Sequence, residues 1–136
     1  MRRGLVLVVL GLLTLAGCGV GVQTQRAGGS VMMAIASKPG GVQLAIFEGT
    51  LMRTDQGCLA GQISNGQTLV LQFPYGSTLA QDGQSVAVPG VGTVRLGDSF
   101  SAGGGAGDLA ALSGVPDECQ GSASFFSWQG GGAVLP

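Results

Sequence analysis

The amino-acid sequence predicts an all-β domain, a small barrel or sandwich of about five to seven short strands with one disulfide and at most one short helix. Three observations point there. Short apolar runs recur at roughly eight to twelve residue intervals, with Gly, Pro, Asn and Asp between them. Asn65-Gly66 stands between two such runs, a strong hairpin signal because both residues tolerate positive φ. Only one short stretch, beside Asp108, has helical character, with Asp108 as its N-cap.

In chain order, residues 19–30 carry several glycines and little periodicity, so they read as a flexible tether. The apolar run at 31–36 fits either a first strand or a further piece of tether, and Ser37-Lys38-Pro39-Gly40-Gly41 breaks it. Residues 42–47 begin a more regular strand that continues through Gly49 to 53, and Asp55-Gln56-Gly57 turns the chain just before Cys58. Residues 58–63 and 68–73 are the arms of the Asn65-Gly66 hairpin. Pro74-Tyr75-Gly76 closes the second arm, and short strands follow at 85–89 and 92–96, the latter ended by Gly97-Asp98. The glycines at 103–107 read as a loop or bulge, 108–113 as one or two helical turns, and 122–128 as the closing strand. In that strand Phe125 and Phe126 must point to opposite faces. The resulting organisation is a signal segment at 1–17, a lipidated N-terminus and tether at 18–40, a β domain at 41–129 and a disordered tail at 130–136.

Arg2 and Arg3 precede an almost unbroken apolar run of about 12 residues, short of the roughly 20 that span a bilayer core, so the segment reads as an export signal. It ends in Leu15-Ala16-Gly17-Cys18, which resembles the bacterial lipobox. The resemblance implies that Cys18 is acylated on sulfur and becomes the first mature residue. The chain is then tethered to a bacterial membrane without spanning it, on the periplasmic side or the cell surface.

Removing Cys18 from the three cysteines leaves Cys58 and Cys119, an even remainder in a compartment that permits disulfides. Their bridge closes a long loop, for which chain entropy gives about 4 kcal/mol. Two buried free thiols are the alternative. A metal site is not expected, because two thiolates without imidazole are an incomplete zinc set.

Composition removes several function classes. Six Lys+Arg against seven Asp+Glu, with no basic run, offer nucleic acid no electrostatic footprint. The chain contains no histidine, so the commonest general base and metal ligand are both missing. No serine lies in G-x-S-x-G, and the glycines at 103–107 lack the βαβ setting or Gly-Lys-Ser/Thr ending of a phosphate loop. The carboxylates Glu48, Asp55, Asp82, Asp98, Asp108, Asp117 and Glu118 lie mostly beside Gly or Pro, where turn capping accounts for them. Met32-Met33 reads as packing rather than as a copper site. No catalytic residue, metal or cofactor is therefore assigned.

The order Gly49-Thr50-Leu51, Gly57-Cys58-Leu59, Phe73-Pro74-Tyr75-Gly76-Ser77-Thr78, Gly97-Asp98, Gly103-Gly104-Gly105 and Cys119 resembles a group of small exported bacterial proteins. In these a Gly-Cys-Leu, an aromatic-Pro-x-Gly-Thr, a Gly-Asp, a triple glycine and a late cysteine recur in sequence. The resemblance covers residues 49–128 and departs from the pattern at Ser77, which is inserted, and at Ala106, where an aromatic often stands. It implies a domain and no activity. The expected function is a lipid-anchored envelope module that binds a partner, such as an envelope protein or glycan, or serves a structural role. Tyr75, Asp98 and Trp128 are its candidate binding surface. A hydrolase of envelope polymers is the alternative, and it requires two carboxylates facing each other across a cleft.

Overall fold

The computed structural model describes residues 21–38 and 45–136. They form ten strands: β1 (Val22–Ala27), β2 (Ser30–Ile35), β3 (Ala45–Arg53), β4 (Leu59–Gln62), β5 (Thr68–Phe73), β6 (Thr78–Leu79), β7 (Ser85–Val88), β8 (Gly92–Arg95), β9 (Ser99–Asp108) and β10 (Ser124–Val134). Five of them close a barrel in the order β3-β4-β5-β10-β9 and back to β3. All neighbours are antiparallel except β5 and β10, which run parallel. With the barrel strands counted one to five, the order one-two-three-five-four with three parallel to five is that of an OB-type Greek-key barrel. The all-β prediction and the disulfide both hold; the strand count exceeds the expectation because a hairpin precedes the barrel and a three-stranded sheet, β6-β7-β8, is inserted into it.

Strand alternation explains the interior. Phe47 and Leu51 of β3, Leu59 of β4, Leu71 and Phe73 of β5, Phe100 and Ala102 of β9, and Phe126 and Trp128 of β10 all enter one buried cluster. Its rings touch in sequence, Phe126 to Phe47 at 5.1 Å, Phe47 to Phe100 at 5.7 Å and Phe100 to Trp128 at 5.2 Å between centroids. Two glycines make room for them. A Cβ on Gly61 would stand 2.7 Å from the Phe47 ring and 3.4 Å from Phe100, and one on Gly49 would meet the same Phe47 ring at 2.7 Å. Leu79, Val86, Val88 and Val94 of the inserted sheet extend this core.

A second apolar cluster lies on the outside of β5. Val70 and Phe125, which alternate away from the interior, pack with Val31, Met33, Leu109, Leu112, Val115 and the two cysteines. The connection from β9 to β10, residues 109–123, thus folds back over the barrel wall and is fixed to residue 58 at the base of β4 by the disulfide.

Several expectations are corrected here. Residues 22–30, read as tether, and the run at 31–36, open between strand and tether, form the β1–β2 hairpin over Val22–Ile35, with Gly28 and Gly29 at positive φ in its two-residue turn. β2 is buried along its whole length because it sits between the two clusters, with Met32 and Ala34 in one and Val31 and Met33 in the other. It runs parallel to β5 at Met33↔Gln72 and Ala34↔Phe73, on the edge that β4 vacates. The tail from 130 is not frayed, since β10 continues through a bulge at Gly131 and Gly132 to pair Ala133 with Ser101 and Val134 with Phe100.

The glycines at 103–107 belong to strand β9 rather than to a loop. The helical stretch is a single 3₁₀ turn, Leu109–Ala111, and the Asp108 side chain does not cap it. The Asn65-Gly66 hairpin forms with a three-residue loop. Gly66 alone takes positive φ, and Asn65 Oδ1 accepts the Gln67 N–H at 2.8 Å. The predicted strand start at 42–44, the signal segment and Cys18 lie outside the described residues.

Candidate functional site

The three residues expected to share a binding surface do not. Trp128 is fully buried, stacked on Phe100 and 5.9 Å from Phe73, with Nε1 donating to the Gly131 carbonyl at 2.8 Å. It is a core residue because the barrel interior holds its ring between β5 and β9, and this corrects its assignment to the surface. Asp98 stands in the tight turn between β8 and β9, where its carboxylate accepts the Arg95 N–H at 2.9 Å and its carbonyl accepts the Leu51 N–H. These bonds explain the residue as a turn cap. Tyr75 is 48% exposed in the β5–β6 connection. It remains on the surface, and Asp98 is partly exposed; only Trp128 is withdrawn into the core.

The other carboxylates are dispersed. Asp82 accepts the Gln84 N–H in its own turn. Glu118 receives two hydrogen bonds from Arg26 at 3.1 and 3.3 Å, which hold its carboxyl below the ordinary carboxylate range and raise the Arg26 guanidinium. Because the folded-state value is lowered, this contribution is present above the unfolded carboxylate's pKa and is lost as pH falls through the folded one. The pair is exposed and contributes little. Among the described residues no three His, Cys, Asp or Glu side chains gather as a metal site would need.

The outer face of the barrel's second and third strands, β4 and β5, is flanked by the loops at residues 54–58 and 109–123. The disulfide joins one loop to the other across that face, and the second apolar cluster fills the space beneath. Cys58 and Cys119 are both buried, with a Cα–Cα distance of 5.1 Å. Mass spectrometry of the non-reduced, alkylated protein is therefore expected to find neither cysteine modified. Full alkylation of both in freshly isolated protein would refute the bridge.

The wall that remains open is β3. Over Thr50–Arg53 it pairs with β4, but β4 turns away at Gln62, so the first half of β3 pairs with β9 alone. Ile46 is 76% exposed there, facing Gly103, which offers it no side chain. A groove of about 490 Å³ opens where β4 departs, lined by Glu48, Thr50, Gln62, Ser64, Ser99 and Leu135 among others. Sequence reasoning did not single out this place. The only available signal was the alternation of Ile46 and Glu48 with inward Phe47, which does not reveal where a neighbouring strand ends. No protein-family model matches the chain, and no curated protein or solved structure matches it significantly.

Proposed function

We propose that this chain is a lipid-anchored cell-envelope protein whose barrel domain acts as a binding or structural module. The observation that carries the reading is the disulfide between Cys58 and Cys119, which closes across 61 residues; structural bridges of this kind form mainly in oxidising compartments, which supports an address outside the cytoplasm. Leu15-Ala16-Gly17-Cys18 after a short apolar run supports the same address and adds the anchor. The strand β1 begins at Val22, only a few residues beyond Cys18, so an anchored domain would sit close to the membrane surface.

The binding role draws support from an interior filled by side chains and from the half of β3 that, among the described residues, has no strand on one side. Metabolic labelling with a tagged fatty acid tests the anchor. The wild-type protein is expected to carry label, and Cys18→Ser to accumulate as unlabelled precursor. Label persisting on Cys18→Ser, or absent from the wild type, would overturn the anchored reading.

A further inference from the structure

The first half of β3 is a half-used strand. Leu51 exchanges both of its backbone bonds with the β9 side, donating to the Asp98 carbonyl at 2.9 Å and accepting from Gly97 at 2.8 Å. Thr54 instead donates its N–H toward the β4 side, to the Cys58 carbonyl at 2.8 Å. Backbone groups alternate along a strand, so the N–H and C=O of Ile46 and Glu48 point away from β9, toward the side where β4 has ended. Among the described residues no strand pairs with them there. Ile46 and Glu48 also share the outer face, because Phe47 between them is directed inward.

We propose that this edge takes an extended segment of a partner polypeptide as an added antiparallel strand, with a basic residue opposite Glu48 and an apolar residue opposite Ile46. Addition to an exposed sheet edge gains main-chain hydrogen bonds, and alternate side chains give selectivity. The charge sets the occupant. A basic residue across from Glu48 makes an opposite-charge cross-strand pair, and an apolar one covers Ile46, which Gly103 leaves bare on its other side. In an antiparallel partner these requirements read basic-x-apolar along its sequence. A second copy of this chain fits worse. Two-fold antiparallel pairing about Phe47 sets Glu48 against Ile46 in both pairs, so neither the carboxylate nor the aliphatic side chain finds a match. The groove beside Thr50, Ser99 and Leu135 continues the line of the edge and gives the incoming strand space to end.

The proposal deepens the binding reading above and rests on it, but not on lipidation, so the fatty-acid experiment and the following one fail independently. The probe is the fluorescent heptapeptide acetyl-Ser-Thr-Lys-Thr-Val-Thr-Ser-amide, titrated by anisotropy into the full mature chain in detergent. Saturable binding is expected, weakened at least roughly tenfold by N-methylation of the valine, whose N–H would donate to the Ile46 carbonyl. Glu48→Lys is expected to weaken binding by roughly tenfold and to regain it when the peptide lysine is exchanged for glutamate.

Ile46→Pro removes an N–H on the open side only, which an edge strand tolerates, and is expected to abolish binding without lowering the thermal transition. If that variant fails to fold, the Glu48 charge exchange decides. Absence of saturable binding, indifference to N-methylation and to the Glu48 exchange, or a self-association of the chain that Ile46→Pro abolishes would each overturn the proposal.

Discussion

A chain shortened to begin at Gly41 is expected to lose cooperative folding, whereas one that begins at Gly21 keeps it. The difference is the β1–β2 hairpin. Val31, Met32, Met33 and Ile35 are all at most 5% exposed, and full burial of such side chains is worth about 1.5–3 kcal/mol each. Four of them amount to a large part of the roughly 5–15 kcal/mol that holds a domain of this kind together. Their loss also uncovers the edge of β5 at Gln72 and Phe73 and breaks the bond from the Val31 N–H to the Gly57 carbonyl beside the disulfide.

A chain beginning at Ser30 is the intermediate case. It retains β2 and gives up the Gln25 side chain, which bonds the Ser77 carbonyl and the Leu79 N–H and so caps the edge of β6. Thermal melts followed by circular dichroism distinguish the three. A single transition of equal midpoint in the chain from Gly41 would show that the barrel does not need its N-terminal hairpin.

The reason the sequence left β2 undecided between strand and tether is physical. A strand exposed on one face alternates apolar and polar residues, but β2 lies between two apolar clusters and has nothing polar to alternate with. Its neighbour β1, with Gln23, Thr24, Gln25 and Arg26, is polar because it is an outer strand, which also hides it among tether-like residues. The Gly28-Gly29 pair was the available clue, since two glycines between short runs specify a primed hairpin turn.

The barrel strands were legible for the opposite reason. β3 and β10 each bury one face, so their alternation survives in the sequence, whereas β5 is buried on both faces from Val70 onward and was legible through the turn residues that flank it. The cysteine pairing was legible because only one pairing remained. The surface assignment failed at Trp128. Alternation places it on the same side as Phe126, but whether that side is the barrel interior depends on the closure of β5 onto β10, a contact between segments some 55 residues apart.

Trp128→Ala is accordingly expected to act on stability throughout the domain rather than on one patch of surface. Removing a large buried aromatic costs about 3–5 kcal/mol, the transfer of the ring plus the cavity it leaves. Collapse of that cavity is hindered here because its walls are the rigid rings of Phe73 and Phe100 and the glycine-bearing strand β9. For a domain of this size the thermal midpoint should fall by tens of degrees, at roughly 4–8 °C per kcal/mol. Trp128→Phe separates the two roles of the side chain. It keeps most of the apolar contact but deletes the donor to the Gly131 carbonyl, the bond that holds the bulged end of β10 against β9. The expected result is a small drop, about 1 kcal/mol or less because Gly131 is exposed to water, together with faster amide exchange confined to residues 130–134. Were Trp128 a ligand-stacking residue on the surface, both substitutions would leave stability within about 0.5 kcal/mol of wild type. That outcome would remove the ring from the core and with it the inward register of β10 on which the interior packing depends.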